Sequence, residues 1–212
     1  MPKVPVTAVF DIGKTNKKFF LFDENLSEVY HSYTRLDPIP DEDGFPSEPV
    51  LPLRDWMLKT FHDALNSTEF EITRLNFSGH GASFVHTDLK GEPVAPLYDY
   101  LKPFPEELLE RFYSENGGKF TFCKKTSSPP LAMLNSGLQL YFLKYAKPEV
   151  YQNIQKSLHL PQYLSLVFTG QFVSDYSSIG CHTALWDFEK MNYHDWVKQE
   201  GIDRLQAPIL PG

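Results

Sequence analysis

Two short apolar segments near the N-terminus, separated by a tight polar turn, constrain the fold more than any other feature. Residues 6–10 and 18–22 are rich in valine and phenylalanine, which is typical of buried β-strands. Gly13 and Asn16 give the intervening turn the backbone freedom that a hairpin needs. The sequence therefore predicts that the chain begins with a β-hairpin.

The predicted turn carries groups that can bind a phosphate. Its backbone N–H groups, one hydroxyl and several ammonium groups lie beside a single carboxylate. Amides and lysines hold an anionic phosphate by charge-assisted hydrogen bonds, and a carboxylate at the end of the first strand can hold a hydrated Mg2+. An ordinary hairpin with a solvated basic tip is the alternative. The side chains concerned are Asp11, Lys14, Thr15, Lys17 and Lys18.

Composition indicates a folded protein and excludes nucleic acid as the main partner. The 212 residues are 42% hydrophobic and 15% aromatic, which is ordinary for a globular chain that can bury a sizeable core. A net charge of -7 leaves no basic stripe that could neutralise a nucleic-acid backbone. The local lysine cluster suits one small anion better.

The sequence predicts a cytoplasmic protein that does not enter a membrane. No apolar run reaches the roughly 18 residues of a spanning helix, and the N-terminus lacks the apolar centre of a signal peptide. Cys123 and Cys181 lie far apart without metal-ligand spacing, so we expect two buried thiols and neither a disulfide nor a zinc site.

Periodicity along the chain predicts an α/β domain with a mixed sheet. A third strand is expected at 29–35 and a fourth around Leu75 and Phe77, with a Pro-rich, acidic and solvated loop at 37–52 between them. Two glycines in 78–83 allow a sharp turn near a ligand, and a further hairpin is expected over 84–98. Helices are predicted at 53–66, after Pro105, at 131–145, at 161–168 ending at Gly170, and at 193–200 ending at Gly201.

Six segments in order resemble one family over about 180 residues. They are Asp-Ile-Gly-Lys-Thr at 11–15, Phe-Ser-Gly-His-Gly-Ala at 77–82, Gly-Glu-Pro-Val-Ala-Pro-Leu-Tyr-Asp at 91–99, and the segments 138–143, 168–170 and 175–183. In order and spacing they resemble the carbohydrate kinases of the FGGY family, within the sugar kinase, heat-shock protein and actin superfamily. The chain looks like the N-terminal lobe of such a kinase.

This resemblance implies a fold and a reaction. The fold would be a ribonuclease-H-like, actin-like ATPase domain with a mixed five-stranded sheet flanked by helices, paired with a second lobe across a cleft. The reaction would be transfer of the ATP γ-phosphoryl group to a hydroxyl of a small sugar such as xylulose, ribulose, fuculose or rhamnulose. Positioning and charge stabilisation supply most of the catalysis in such transfers.

The resemblance also implies roles for individual residues. Asp11 matches the carboxylate associated with Mg2+. The phosphates of ATP would be bound by the turn, at Gly13, Lys14, Thr15, Asn16 and Lys18. The sugar would be bound by His80, Gly81, Ala82 and Asp99, and an imidazole suits this role because it can both donate to and accept from a hydroxyl. A structural histidine bonded to its own loop is the alternative for His80.

The chain departs from the family pattern around the expected sugar contacts. The usual Trp-x-Asp/Asn-x-Arg segment is replaced here by Tyr-Asp-Tyr-Leu-Lys at 98–102. Lys102 lacks the planar fork of an arginine, and a solvated surface lysine is its leading interpretation. Lys14 replaces a common threonine, and either adds charge near the phosphates or points into solvent.

Residues 1–212 are expected to form the N-terminal domain alone, with the C-terminal ATP-binding domain absent. The join between lobes is expected at 210–212. No carboxylate here is assigned as the general base, because the resemblance places that Asp in the second lobe; Asp175 is expected to be structural. This chain alone is therefore predicted to be inactive. The alternative function is a sugar-binding or regulatory protein without turnover, and a homodimer is one arrangement that the sequence leaves open.

Overall fold

The predicted hairpin forms because the two apolar segments pair across the polar turn. The structure, a computed structural model, describes residues 2–210, and the last two residues of the expected join at 210–212 lie outside that range. The first three strands form an antiparallel meander. They are β1 (Val4–Ile12), β2 (Lys17–Phe22) and β3 (Glu28–Thr34).

Eight further strands and eight helices follow among the described residues. The strands are β4 (Ile39–Pro40), β5 (Pro46–Glu48), β6 (Phe70–Gly79), β7 (Phe84–Thr87), β8 (Leu97–Tyr98), β9 (Lys156–His159), β10 (Trp186–Asp187) and β11 (Asn192–Tyr193). The helices are α1 (Val50–Leu65), α2 (Glu106–Glu115), α3 (Lys119–Thr126), α4 (Ser136–Ala146), α5 (Pro148–Tyr151), α6 (Leu160–Thr169), α7 (Tyr176–Gly180) and α8 (Asp195–Gln199). Short 3-10 turns lie at Ala132–Leu134 and Asp203–Leu205.

The main sheet is mixed, as predicted, with the order β3-β2-β1-β6. β6 runs parallel to β1, and α1 forms the crossover between the meander and β6. Within residues 2–210 this sheet has four strands, so the expected count of five is wrong. The chain turns away directly after β6 into β7, which takes β9 as its antiparallel partner. The outer edge of β6 therefore gains no further strand.

The side chains of β1 alternate between a core face and an open face. Val6, Ala8, Phe10 and Ile12 are buried, whereas Asp11 points to the other side. Phe10 lies at the centre of an aromatic cluster, with its ring centroid 4.7 Å from that of Phe19 and in contact with rings of α1, β6 and α6. A second core packs α2, α3, α4 and α8 around the fully buried Trp196. The aromatic cluster around Phe10 therefore holds the hairpin against α1 and α6.

Local signals in the sequence located several element ends correctly. α6 ends at Gly170, whose φ of +67° suits glycine. Pro105 precedes α2, and two glutamates occupy its first turn. Asp175 caps α7 by accepting a hydrogen bond from the Ser178 amide at 2.8 Å, which supports its structural interpretation.

Other expectations were wrong where long-range packing decided the outcome. The segment 37–52 is not all loop, since it contains β4 and β5 and the start of α1. The hairpin expected over 84–98 is present only around 86–94, where Thr87 bridges Pro93 and the Val94 amide donates to the His86 carbonyl at 2.9 Å, because β8 pairs with β5. Cys181 is exposed, and Cys123 is half-buried. No helix within residues 2–210 is both long and apolar enough to cross a bilayer.

The β7–β9 pair contains two buried, neutral histidines, of which His86 is fully buried. His86 Nδ1 lies 2.9 Å from the hydroxyl of Ser157, and His159 Nε2 lies 2.9 Å from that of Ser136. Burial lowers the pKa of His86 to about 3 and that of His159 to about 4, although Asp175 opposes the second shift. Both values lie below the ordinary histidine pKa of about 6.5 in an unfolded chain.

These pKa shifts predict a loss of stability in mild acid. Between about pH 6.5 and pH 4 the unfolded chain binds protons that the folded chain does not, so the free energy of unfolding falls as pH falls, by about 1.4 kcal/mol per pH unit for each histidine. Urea unfolding at several pH values measures this slope. His86→Asn, which keeps a polar group at the δ position, should reduce the slope, whereas His62→Asn at an exposed position should not. Equal slopes in all three proteins would contradict the prediction.

Candidate functional site

The carboxyl ends of β1 and β6 meet at one edge of the sheet and place the predicted site there. In the parallel register Asp11 lies beside Ser78 and Ile12 beside Gly79. The amide of His80 then donates to the Ile12 carbonyl at 3.0 Å. The turn at 13–16 and the loop at 80–83 are therefore neighbours. In open α/β sheets this edge is where ligands bind.

The turn at 13–16 presents free backbone donors. The Gly13 amide donates to the Asn16 carbonyl at 3.0 Å, and a Cβ at position 13 would lie 3.2 Å from that oxygen, so the tight closure favours glycine. Among residues 2–210 the amides of Lys14 and Thr15 meet no acceptor. The Asn16 side chain accepts from Arg35 Nε at 2.9 Å, which ties the turn to the segment after β3. Two adjacent amides are thus available to an anion.

The Asp11 carboxylate fits a hydrated Mg2+ bound jointly with phosphates. It is 39% exposed, and its Oδ2 lies 3.4 Å from Lys18 Nζ. Within the described chain no three His, Cys, Asp or Glu side chains cluster to hold a metal ion. Mg2+ commonly uses one or two carboxylates together with waters and phosphate oxygens, so one accessible carboxylate suits it.

The side chains of the three turn lysines lie in three different environments. The sequence predicted one cluster for a single anion, and this prediction is wrong for Lys17. Lys18 stays at the surface beside Asp11. Lys14 Nζ lies 2.7 Å from the Asp99 carboxylate and 4.4 Å from the centroid of the Tyr100 ring, so it is neither free in solvent nor directed only at phosphate. Lys17 points into the protein, where it is fully buried.

The loop after β6 holds His80 half-buried and neutral. Its Nδ1 lies 3.4 Å from both the Gly81 carbonyl and the Ser83 hydroxyl, while its Nε2 is buried without a partner among the described residues. Burial lowers the pKa of the imidazole, against the raising effect of the Glu48 carboxylate. The Ala82 carbonyl accepts from Gln139 at 2.7 Å, and Gly81 is exposed. The loop thus combines a ring nitrogen without a hydrogen-bond partner among the described residues with a backbone held by a hydrogen bond from α4.

A cavity of about 350 Å3 adjoins the turn on the side of Asp99. Of the predicted site residues it brings together Lys14, Thr15 and Asp99, but its wall includes neither Asp11 nor the loop at 80–82. The remaining lining is Arg35, Leu36, Asp37, Pro38, Pro46, Ser47 and Glu48. The contribution of the acidic 37–52 segment was missed from the sequence, because only the fold brings it beside the turn.

The segment 98–102 is anchored by a buried ion pair that corrects the expectation for Lys102. This lysine is not solvated: its ammonium contacts the buried Asp41 carboxylate and lies 2.8 Å from Asp43. Burial acts to lower the pKa of Lys102, but the hydrogen bonds to Asp41 and Asp43 outweigh it and raise the pKa. The Lys102 amide donates to the Asp99 carbonyl at 2.9 Å, so this anchor also places Asp99.

Removing this anchor should destabilise the domain. Lys102→Met leaves the Asp41 carboxylate buried and unpaired, and we expect a loss of about 3 kcal/mol in the free energy of unfolding. Denaturant titration measures the loss. Lys147→Met is the matched control, because its partner Asp43 is 43% exposed and the expected loss is below about 1 kcal/mol. Equal losses in the two variants would refute the role of burial.

Comparisons with known proteins identify the family of this chain and solved structures with the same fold. The model of the N-terminal domain of the FGGY family of carbohydrate kinases matches residues 6–210. A comparison with curated proteins found no match.

Among solved structures, a carbohydrate kinase from Novosphingobium aromaticivorans is 26% identical with a TM-score of 0.80. The matched region covers 96% of this chain and 42% of the kinase chain. A ligand-bound xylulose kinase from Lactobacillus acidophilus is 18% identical with a TM-score of 0.84, covering 98% and 42%. A Plasmodium falciparum glycerol kinase with ADP is 18% identical with a TM-score of 0.77, covering 98% and 43%. The chain thus spans under half the length of these proteins.

Proposed function

The chain belongs to the FGGY family of carbohydrate kinases, whose N-terminal domain it matches over residues 6–210, and we propose on this basis that it is one lobe of an ATP-dependent sugar kinase. The observation that carries the proposal is the turn at 13–16 with its two free amides, set beside an accessible carboxylate at the carboxyl end of β1. Phosphoryl transfer requires such fixed donors and a metal-associated carboxylate rather than a covalent intermediate.

We assign the phosphates of ATP to the turn. The amides and side chains of Lys14 and Thr15 would hold phosphate oxygens, with Gly13 and Asn16 closing the turn and Lys18 as a nearby positive charge. Asp11 would hold Mg2+ through its waters, and the ion when bound would neutralise charge on the transferred group. Support comes from the absence of competing acceptors for the Lys14 and Thr15 amides within residues 2–210.

We propose that the sugar binds beside the turn and contacts both Asp99 and the loop at 80–82. The neutral His80 ring has a buried nitrogen that a hydroxyl could satisfy, and Asp99 offers an acceptor that Lys14 already orients. Gly81 and Ala82 would let the backbone approach the ligand. A small ketose or deoxyketose such as xylulose, ribulose, fuculose or rhamnulose is the proposed class. Solved neighbours include proteins titled xylulose, gluconate and glycerol kinase.

The proposal requires a second lobe. The chain covers 42% of the Novosphingobium aromaticivorans kinase, and the adenine pocket and general-base Asp are assigned to the remainder of such a protein. We place the complete enzyme in the cytoplasm, where ATP is available, and propose no nucleic-acid or membrane partner. A homodimer is compatible with this arrangement.

The metal-associated role of Asp11 predicts a specific loss of turnover. In the full-length protein, Asp11→Asn keeps the shape of the side chain but removes its charge, so kcat should fall by about a hundredfold or more while the thermal midpoint changes little. A coupled ADP-release assay measures the rate. Asp63→Asn, at an exposed position on α1, is the matched control and should retain full rate. An active Asp11→Asn enzyme would remove this residue from the mechanism.

A substrate panel separates the kinase from the alternative of a non-catalytic sugar-binding protein. We expect ADP release from the full-length protein with at least one of xylulose, ribulose, fuculose, rhamnulose or glycerol, and none from residues 1–212 alone. Calorimetry with the same sugars gives the second measurement. Sugar binding without ADP release by a folded full-length protein would favour the binding protein.

A further inference from the structure

A buried ammonium group lies directly beneath the proposed phosphate turn. Lys17 begins β2, and its side chain is fully buried on the core side of the hairpin. Its Nζ donates to the carbonyl of Gly13 at 3.0 Å and to that of Lys14 at 2.9 Å, and it contacts the Glu48 carboxylate. An ammonium has three N–H donors; two of them are used on these carbonyls, and the Glu48 carboxylate pairs with the charge.

Two of these contacts determine the direction of the free amides. The Gly13 carbonyl shares a peptide plane with the Lys14 amide, and the Lys14 carbonyl shares one with the Thr15 amide. In a trans peptide the C=O and N–H groups point in opposite directions. By drawing both carbonyls toward the interior, Lys17 turns both N–H groups outward, where they meet no acceptor among the described residues.

The neighbouring Glu48 carboxylate offsets the free-energy cost of burying the Lys17 ammonium. A lone buried ammonium would lose its proton or its burial, because desolvation disfavours the charged form. Glu48 ends β5, two residues before the start of α1, and has a side chain only 10% exposed. The ion pair therefore joins the hairpin to the 37–52 segment and holds the charge of Lys17 under the turn.

We propose that Lys17 and Glu48 are positioning residues that hold the phosphate turn in its anion-binding conformation before any ligand arrives. Lys17 itself does not touch the ligand, unlike Lys14 and Lys18 at the surface. Preorganised donors bind an anion more tightly because no reorganisation is needed on binding. This inference rests on the proposed function of the turn.

The test measures binding of inorganic tripolyphosphate with Mg2+ to the full-length protein by calorimetry. The double variant Lys17→Met/Glu48→Leu removes both charges while keeping similar volumes, and such replacements of a buried pair usually preserve folding. We expect its affinity to fall about tenfold, and KM for ATP to rise similarly. Lys17→Arg keeps a charged donor and should stay within about threefold of wild type. Lys59→Met, at an exposed position on α1, is the matched surface control and should bind like wild type.

The outcomes separate this inference from the proposed function. If wild-type protein does not bind tripolyphosphate, the phosphate role of the turn is refuted, and this inference with it. If wild type binds and the folded double variant binds equally well, only the positioning role is refuted. A loss of about tenfold in the tripolyphosphate affinity of Lys17→Arg would also refute the positioning role. If the double variant does not fold, the Lys17→Arg measurement is the deciding test.

Discussion

The parallel pairing of β1 with β6 is the interaction on which the proposed site depends. It places Asp11 beside Ser78 and lets the His80 amide bond to the Ile12 carbonyl. Two segments more than sixty residues apart thereby reach the same edge of the sheet. The pairing itself depends on the apolar face of β1, because Phe10 contacts rings of β2, β6, α1 and α6. Core packing thus determines the distance between the turn at 13–16 and the loop at 80–82.

Buried ion pairs form a second level of organisation around this edge. Lys17 with Glu48 and Lys102 with Asp41 both tie the acidic 37–52 segment to parts of the chain that carry proposed ligands. Each pair is costly to bury and costly to break by removing one partner. Each pair also links this segment to a charge at one defined position elsewhere in the chain. They give the turn at 13–16 and the segment 98–102 fixed positions without using the residues that would touch a ligand.

The arrangement divides the work of phosphoryl transfer within the proposed kinase. The surface of the turn supplies donors and a carboxylate, and the groups beneath it supply rigidity. The loop at 80–82 carries an imidazole whose pKa is lowered by burial, and Asp99 carries a carboxylate paired with Lys14. In the proposed kinase this lobe would hold the anchoring groups for both substrates, and a second lobe would supply the groups that complete the reaction.

Local sequence signals were sufficient wherever neighbouring residues decide the structure. Apolar alternation predicted the hairpin and β6, glycine and proline predicted the ends of α6 and the start of α2, and the motif order predicted the family and the α/β fold. The burial and ion-pair partners of Lys14, Lys17 and Lys102 could not be predicted from neighbouring residues. The number of strands in the main sheet could not be predicted either. A lysine looks the same in sequence whether it is solvated or buried, and its partner lies 31 positions away in one case, 61 in another and 85 in the third. The sequence by itself determined the elements and the chemistry available at the turn; only the tertiary structure decided which charges meet, because burial and long-range pairing exist only once the chain has folded.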